Sequence, residues 1–317
     1  MSSIAYITDK NMIEFHRLNG NSTISFWRPS AGKRFTDFNH GDLLFFLAKG
    51  TELKQTGEKG IIGYGRFQHS VQHSFRQMWN LYGNLNGYET TEDFKEAILR
   101  VSKTKTLPTS LSSLILNEIV FFQAPVYLSE FGMRISNNLE SFIYLDKDNP
   151  QMTVNILLKA NEIGVDAWSS AVSSYAPSSS VFDDDLARHI IQYRLSNIPN
   201  LSTEKELKKQ SKYLMDLIKK EDNYQWLDER KQELIRFNLK GLEIVTAVSV
   251  NKHNLIERLI YEFGKYNLIH KLTKDIPNFN QKTLQYTTYV EHEVSDDLKK
   301  IIICDGFDYK YINLDQI

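Results

Sequence analysis

The apolar positions of the first 150 residues gather into runs of strand length, separated by turn residues. Residues 3–8 and 24–27 read as two opening strands. Gly41-Asp42 then turns the chain into Leu43-Leu44-Phe45-Phe46-Leu47, a third. Residues 61–67 read as a fourth, interrupted by Gly63 and Gly65. Glycine inside a strand marks a bulge or a close approach, here a barrel corner or a flat ligand beside Tyr64. Residues 114–122 form a fifth, in which Glu118 either faces solvent on the alternate side or lines a pocket. Helical spacing appears at 74–82, where Gly83 ends it before an Asn86-Gly87 turn. It appears again from Thr91, as cap, to Val101.

After Leu145 the pattern changes. Asp146 to Pro150 is a polar turn and the expected boundary between a first domain, 1–148, and a second, 149–317. Residues 169–180 are serine-rich and read as a loop. Asp183-Asp184-Asp185 open a helix to Leu195, as caps and macrodipole partners rather than metal ligands. Thr203 and Glu206 form a capping box for a helix to about 220, with Leu207, Leu214, Leu217 and Ile218 on one face and lysines and glutamates on the other. Two further helices are expected at 225–250 and 253–272, then strands at 284–290, 301–304 and 309–314. The expected fold is α+β, with a mainly α-helical second domain that ends in a β-hairpin.

Composition narrows the function classes. Apolar content of 41% and charged content of 24% are those of a globular chain. A net charge of −1 excludes a binder driven by overall basicity, while leaving room for a local basic patch. The one cysteine, Cys304, excludes an internal disulfide and a cysteine-rich zinc site. No apolar run approaches ~18 residues and the first ten residues hold no signal-peptide core, so a cytoplasmic chain without a membrane span is expected.

Catalytic motifs are sparse. The chain has no GxxxxGK[ST] phosphate loop, HExxH helix, CxxC pair or GxSxG serine. Of eight histidines only His69 and His73 share a helix-like spacing, which exposed helical residues explain better than a metal would. No metal or cofactor is expected. Phe26, Trp27 and Arg28, set beside the apolar run at 43–47, offer a flat ligand something to stack on and a charge to meet, although residue type alone favours both aromatics as core.

Several pieces in order resemble the PUA-like superfamily, the small β-barrels that include ASCH and EVE domains. They are FWRPS at 26–30, GDLLFFL at 41–47, IIGYGRF at 61–67 and the run from Trp79 to Gly87. LILNEIVFF at 114–122 and SNNLESFIYLD at 136–146 complete the set. The nearest version is the N-terminal module of modification-dependent restriction proteins. The resemblance implies a mixed β-barrel with short helices that takes one modified base of double-stranded DNA, flipped from the helix, into a pocket. Trp27, Tyr64 and Phe26 would stack, and Arg28, Ser30 and Asn86 would supply hydrogen bonds or a phosphate contact. The second half departs from those proteins, since it carries no nuclease signature. Base excision needs little beyond a positioned carboxylate, so the resemblance extends to an antiphage DNA glycosylase with Glu118 or Asp42 as that carboxylate. Two alternatives stand beside it. One is a non-catalytic reader that recruits a nuclease. The other is an ASCH-like nucleoside amidohydrolase, for which Lys33, Thr36 and Glu118 would form the catalytic set, although Phe35 and Asp37 interrupt its motif.

Overall fold

The computed structural model describes residues 3–28, 35–102, 104–166, 178–221, 224–227, 230–238, 241–279, 283–294 and 306–311. The chain divides into two compact units, Met1–Phe182 and Asp183–Ile317. The first unit therefore runs on past the polar turn at 146–150. It includes a helix, α4 (Met152–Ile163), which packs on strand β5 and is tied to that turn where Thr153 donates to Asp146.

Six strands form the sheet of the first unit: β1 (Ile4–Asp9), β2 (Thr23–Arg28), β3 (Leu43–Lys49), β4 (Gly60–His73), β5 (Leu111–Val126) and β6 (Phe142–Tyr144). Their order is β2-β5-β4-β3-β1-β6, with β1 parallel to β3 and the other pairs antiparallel. In a flat sheet, four strand steps would set β2 and β1 ~19 Å apart. Instead, the rings of Tyr6 on β1 and Phe26 on β2 lie 5.1 Å apart, so the sheet is rolled. No backbone pairing joins its two ends among the described residues. The expected barrel is thus an open sheet whose ends meet through side chains.

The roll is built into β4 and β5. Their pairing slips register at Ile61/Gly63, Tyr64/Arg66 and Phe67/His69, and each bulge sharpens the local twist. Gly63 sits at φ 153°, and a Cβ there would lie 2.3 Å from the Val120 carbonyl oxygen. A Cβ on Gly65 would lie 2.6 Å from Ile119 Cδ1. The space beside the two glycines is therefore filled by β5, which answers the question the sequence left open: they make a corner, with no ligand lying there.

The concave face holds Ile4, Ile24, Phe26, Leu44, Phe46, Phe67 and Leu116. On the opposite face a smaller core forms around Met78, Phe94, Ile98 and Leu111, built by α2 (Phe75–Tyr82) and α3 (Thr91–Val101). Ser74 caps α2 reciprocally with Gln77. Thr90, one residue before the expected Thr91, caps α3. α1 (Lys10–Leu18) follows β1 directly, capped by Asp9. His69 and His73 lie on β4, where a separation of four residues spans ~13 Å, too far to share a ligand.

The second unit is a layered α/β structure, and the mainly helical expectation holds in part: three of its helices are present, and one stretch is corrected. The expected helix at 225–250 is three strands: β7 (Gln225–Trp226), β8 (Glu233–Asn238) and β9 (Gly241–Val248). β-Branched and alternating residues such as Ile244-Val245-Thr246 favour extended backbone. β10 (Thr283–Val290) and β11 (Phe307–Tyr311) complete a sheet of order β11-β10-β9-β8-β7. β10 runs parallel to both β9 and β11, so the expected terminal hairpin is absent from the described residues; 301–304 and 312–317 lie outside them. α5 (Ser178–Ser196) and α7 (Leu255–Thr273) cover one sheet face, and α6 (Glu204–Lys220) covers the other, with the expected Thr203–Glu206 capping box. α5 begins at Ser178, inside the stretch expected as loop; 167–177 lie outside the described residues.

Between α7 and the sheet lies a buried charge cluster. Lys265 Nζ donates to Glu233 at 2.6 Å and to Glu262 at 3.3 Å, and the Tyr286 hydroxyl donates to Glu262 at 2.7 Å. Although burial pulls the Lys265 ammonium down, the two carboxylates outweigh it and hold the pKa above the usual lysine range. Removing one partner leaves buried charge uncompensated. Lys265→Ala is therefore expected to cost ~3–5 kcal/mol in denaturant unfolding. A triple variant with Lys265→Met, Glu233→Gln and Glu262→Gln should recover most of that loss; equal losses in the two would show that the cluster is not held by ion pairing.

Candidate functional site

Strand alternation sorts the FWR run onto two faces. Phe26 and Arg28 point into the concave side, and Trp27 points out. Phe26 is 3% exposed and packs against Tyr6 in a T-shaped contact, so it belongs to the core rather than offering a free stacking face. Around Arg28 a cluster of half-buried aromatics forms a seam where β2 approaches β1 and β6. Phe142 stacks on Tyr6 at 5.8 Å, Phe35 lies 4.7 Å from Phe142, and Tyr144 meets Phe142 edge-on. Phe38 and Phe67 continue the wall.

The Arg28 guanidinium sits over the Phe35 ring, 5.1 Å from its centroid, and donates through Nη2 to Ser112 at 3.0 Å. Its Nε is buried and has no hydrogen-bond partner among the described residues. A buried donor without an acceptor costs free energy unless something else supplies one. Burial raises the Tyr6 hydroxyl above the ordinary tyrosine value, against the lowering pull of Arg28 beside it. At the Tyr144 end, the backbone N–H groups of Thr36 and Asp37 donate to the Tyr144 hydroxyl, and Thr36 Oγ1 donates to the Asp37 carboxylate. The seam thus offers flat apolar walls, a cation with a free donor, and one exposed carboxylate beside Tyr144.

The other expected site residues lie elsewhere. Trp27 packs against Phe94 and Tyr88 in the α2–α3 core, with a buried Nε1 that has no partner among the described residues. Tyr64 is fully buried against Phe45 and Phe122 on the face opposite Phe26 and Phe67, and it presents no ring face to a ligand. Asn86 is also fully buried. Its side-chain amide closes the turn after α2 by donating to the Gly83 and Met78 carbonyls. Ser30 and Lys33 lie outside the described residues.

Neither expected carboxylate reaches the seam. Asp42 is 3% exposed and pins its own turn, accepting from the Asn39 N–H at 2.8 Å, while its backbone pairs with Phe67. Glu118 is the bulged residue of β5, held in the left-handed region at φ 52°. It is ion-paired with the buried Arg66, which alternates with Phe67 and so lies on the other face. A non-glycine residue in that conformation stores strain that its surroundings must hold. Here the Arg66 pair does the holding.

Tyr6, Phe35, Phe142 and Tyr144 went unrecognised as site residues in the sequence. Tyr6 sits in a run that reads as a plain strand and Phe142 in a stretch not read as one, and only the β1–β6 pairing brings them together. Among the described residues no group of three or more histidine, cysteine or acidic side chains could hold a metal, and no helix is long and apolar enough to cross a membrane.

No family model and no curated protein matches the chain. Among solved structures, ASCH from Zymomonas mobilis matches at TM-score 0.35 and 11% identity, over 49% of this chain and 94% of its own. A point mutant of that protein matches at TM-score 0.35 and 12% identity, over 49% of this chain and 99% of its own.

Beside the Asn86-Gly87 turn lies His16, fully buried, with Nε2 3.1 Å from where a Gly87 Cβ would stand. Burial lowers its pKa from 6.5 to about 3. The unfolded chain therefore binds a proton that the native one refuses, and His16 stability is lost as pH falls from about 6.5 to about 3. Asp146 has the opposite sign: burial raises it from 3.8 to about 6, so its contribution is full below 3.8 and lost as pH rises through about 6. Over the shared window the two oppose each other. Comparing His16→Asn with wild type by denaturant unfolding should show wild type gaining ~1.4 kcal/mol per pH unit on the variant as pH rises from ~4 to ~6. A constant difference would mean His16 takes up its proton in the native state.

Proposed function

We propose that the first unit is a reader of modified DNA that takes one extruded base into the seam between Tyr6, Phe35 and Phe142. The observation that carries this reading is Arg28, whose buried Nε–H has no acceptor among the described residues and lies beside partly exposed aromatic faces. A nucleobase supplies both needs: a π-face for the rings and carbonyl or ring-nitrogen acceptors on its edge. Flipping costs a few kcal/mol, least where pairing is already weak, and stacking of ~1–3 kcal/mol per base with an arginine contact offsets it. The sequence motifs of the first unit, with their resemblance to PUA-like base-recognition modules, point the same way.

Base excision is the second reading, and one observation favours it with a changed residue. Hydrolysis of a glycosidic bond needs a carboxylate near the bound sugar. Glu118 is tied to Arg66 and Asp42 is buried in its turn, whereas Asp37 is exposed and sits beside Tyr144 at the seam. An antiphage glycosylase built on this unit would use Asp37.

One experiment separates the readings. The protein is incubated with phage DNA bearing glucosylated hydroxymethylcytosine and with unmodified DNA. Retention, released bases by mass spectrometry, and alkali-labile sites are then scored. The reader predicts preferential retention with intact bases, weakened by Phe35→Ala by ~1–3 kcal/mol and by Arg28→Met. Free base and alkali-labile sites, lost in Asp37→Asn, would establish excision instead. Equal retention of both DNAs by wild type, or full discrimination by Arg28→Met, would overturn the seam as a base site.

A further inference from the structure

The second unit carries a surface that its core does not use. α6 packs Leu214, Leu217 and Ile218 against the sheet, and along its other side it presents Lys205, Lys208, Lys209, Lys212 and Lys219, all exposed. At 3.6 residues per turn these five lysines fall within ~100° of arc, over ~21 Å of helix. Lys209 approaches Glu291 at 3.6 Å and Lys219 pairs with Asp216 at 3.1 Å. Lys205, Lys208 and Lys212 have no ion pair or hydrogen bond among the described residues.

That arrangement works against the helix itself. Lys205–Lys208, Lys205–Lys209, Lys208–Lys212 and Lys209–Lys212 are like-charge neighbours three or four positions apart, and each such pair destabilises a helix. A helix face needed only for solubility is better served by alternating signs. In a chain of net charge −1, five lysines on one face are a local concentration rather than a share of general basicity.

We propose that this lysine face is a docking surface for the phosphodiester backbone of duplex DNA. The choice of DNA among polyanions rests on the base-binding reading of the first unit. An anionic membrane fits less well: an interfacial helix must sink an apolar face into lipid, and the apolar face of α6 is already packed on the sheet. Lysines that neutralise phosphates release condensed counterions, which gives sequence-independent affinity that falls steeply with salt.

The test uses the full chain and a labelled, unmodified duplex of roughly 30 base pairs, with affinity followed by anisotropy from about 50 to about 200 mM KCl. A variant carrying Lys205→Gln, Lys208→Gln and Lys212→Gln, checked for wild-type circular dichroism, is compared with wild type and with Arg28→Met. At ~0.9 per phosphate contact, the triple variant should flatten the log–log salt slope by about 2–3, while Arg28→Met leaves the slope unchanged. An unaltered slope in the triple variant overturns the proposal whatever Arg28→Met does, as does wild-type binding to phosphatidylserine vesicles with none to the duplex. If the triple variant flattens the slope while Arg28→Met keeps full discrimination of modified DNA, the base-binding reading falls and the DNA surface stands.

Discussion

The contact between Tyr6 and Phe26 is what the rest of the first unit depends on. The two residues belong to strands with three others between them in the hydrogen-bonded order, and they touch because the sheet is rolled. Bulges and glycines along β4 and β5 supply the curvature. The space enclosed must then be filled, and aromatic side chains fill it: Phe26, Phe46 and Phe67 on the floor, Phe35, Phe38 and Phe142 toward the opening. No strand pairing joins β2 to β6 among the described residues, whereas Tyr6 and Phe142 are held side by side by the β1–β6 pairing.

Five of the six strands of the first unit were legible because each is a short apolar run between turn residues; β6 was not read as a strand. The partners were not. β1 lies between β3 and β6, which follow it by more than thirty and more than a hundred residues, and nothing local in 3–8 announces either. The site was half legible for the same reason. The FWR run identified the right strand, but a period of two puts Phe26 and Arg28 on one face and Trp27 on the other. Only the fold says which face holds the recess. Trp27, the most conspicuous residue of the motif, packs under α3, and Arg28 remains at the seam. In the second unit the misreading was one of period. Leu234-Ile235 and Ile244-Val245 suit a buried strand as well as a buried helix, and β-branching should have decided it.

Charge is used differently in the two units. In the first, carboxylates that look available in the sequence are committed to structure: Asp42 to its turn, Glu118 to Arg66, Asp146 to the start of α4. In the second, Glu233, Glu262 and Lys265 are buried together under α7. A carboxylate bound to a guanidinium or an ammonium has its lone pairs occupied and its charge compensated, which is poor preparation for activating water. The exposed Asp37 is the exception at the seam, and it is the residue at which reader and glycosylase part company.

The two surfaces ask for different properties of the same nucleic acid. A recess walled by Tyr6, Phe35 and Phe142 with one arginine can distinguish bases by shape and edge, but stacking of ~1–3 kcal/mol per base is of the same order as the cost of unstacking it. Discrimination of that kind yields little net affinity. Lysines along α6 would supply affinity without discrimination, since phosphates repeat identically along every sequence. A chain of nearly zero net charge would not draw DNA by its overall field, so on the proposed reading the attraction would be concentrated on one face. A recess that selects and a helix that holds compensate for each other's weakness, and neither requires the chain as a whole to be basic.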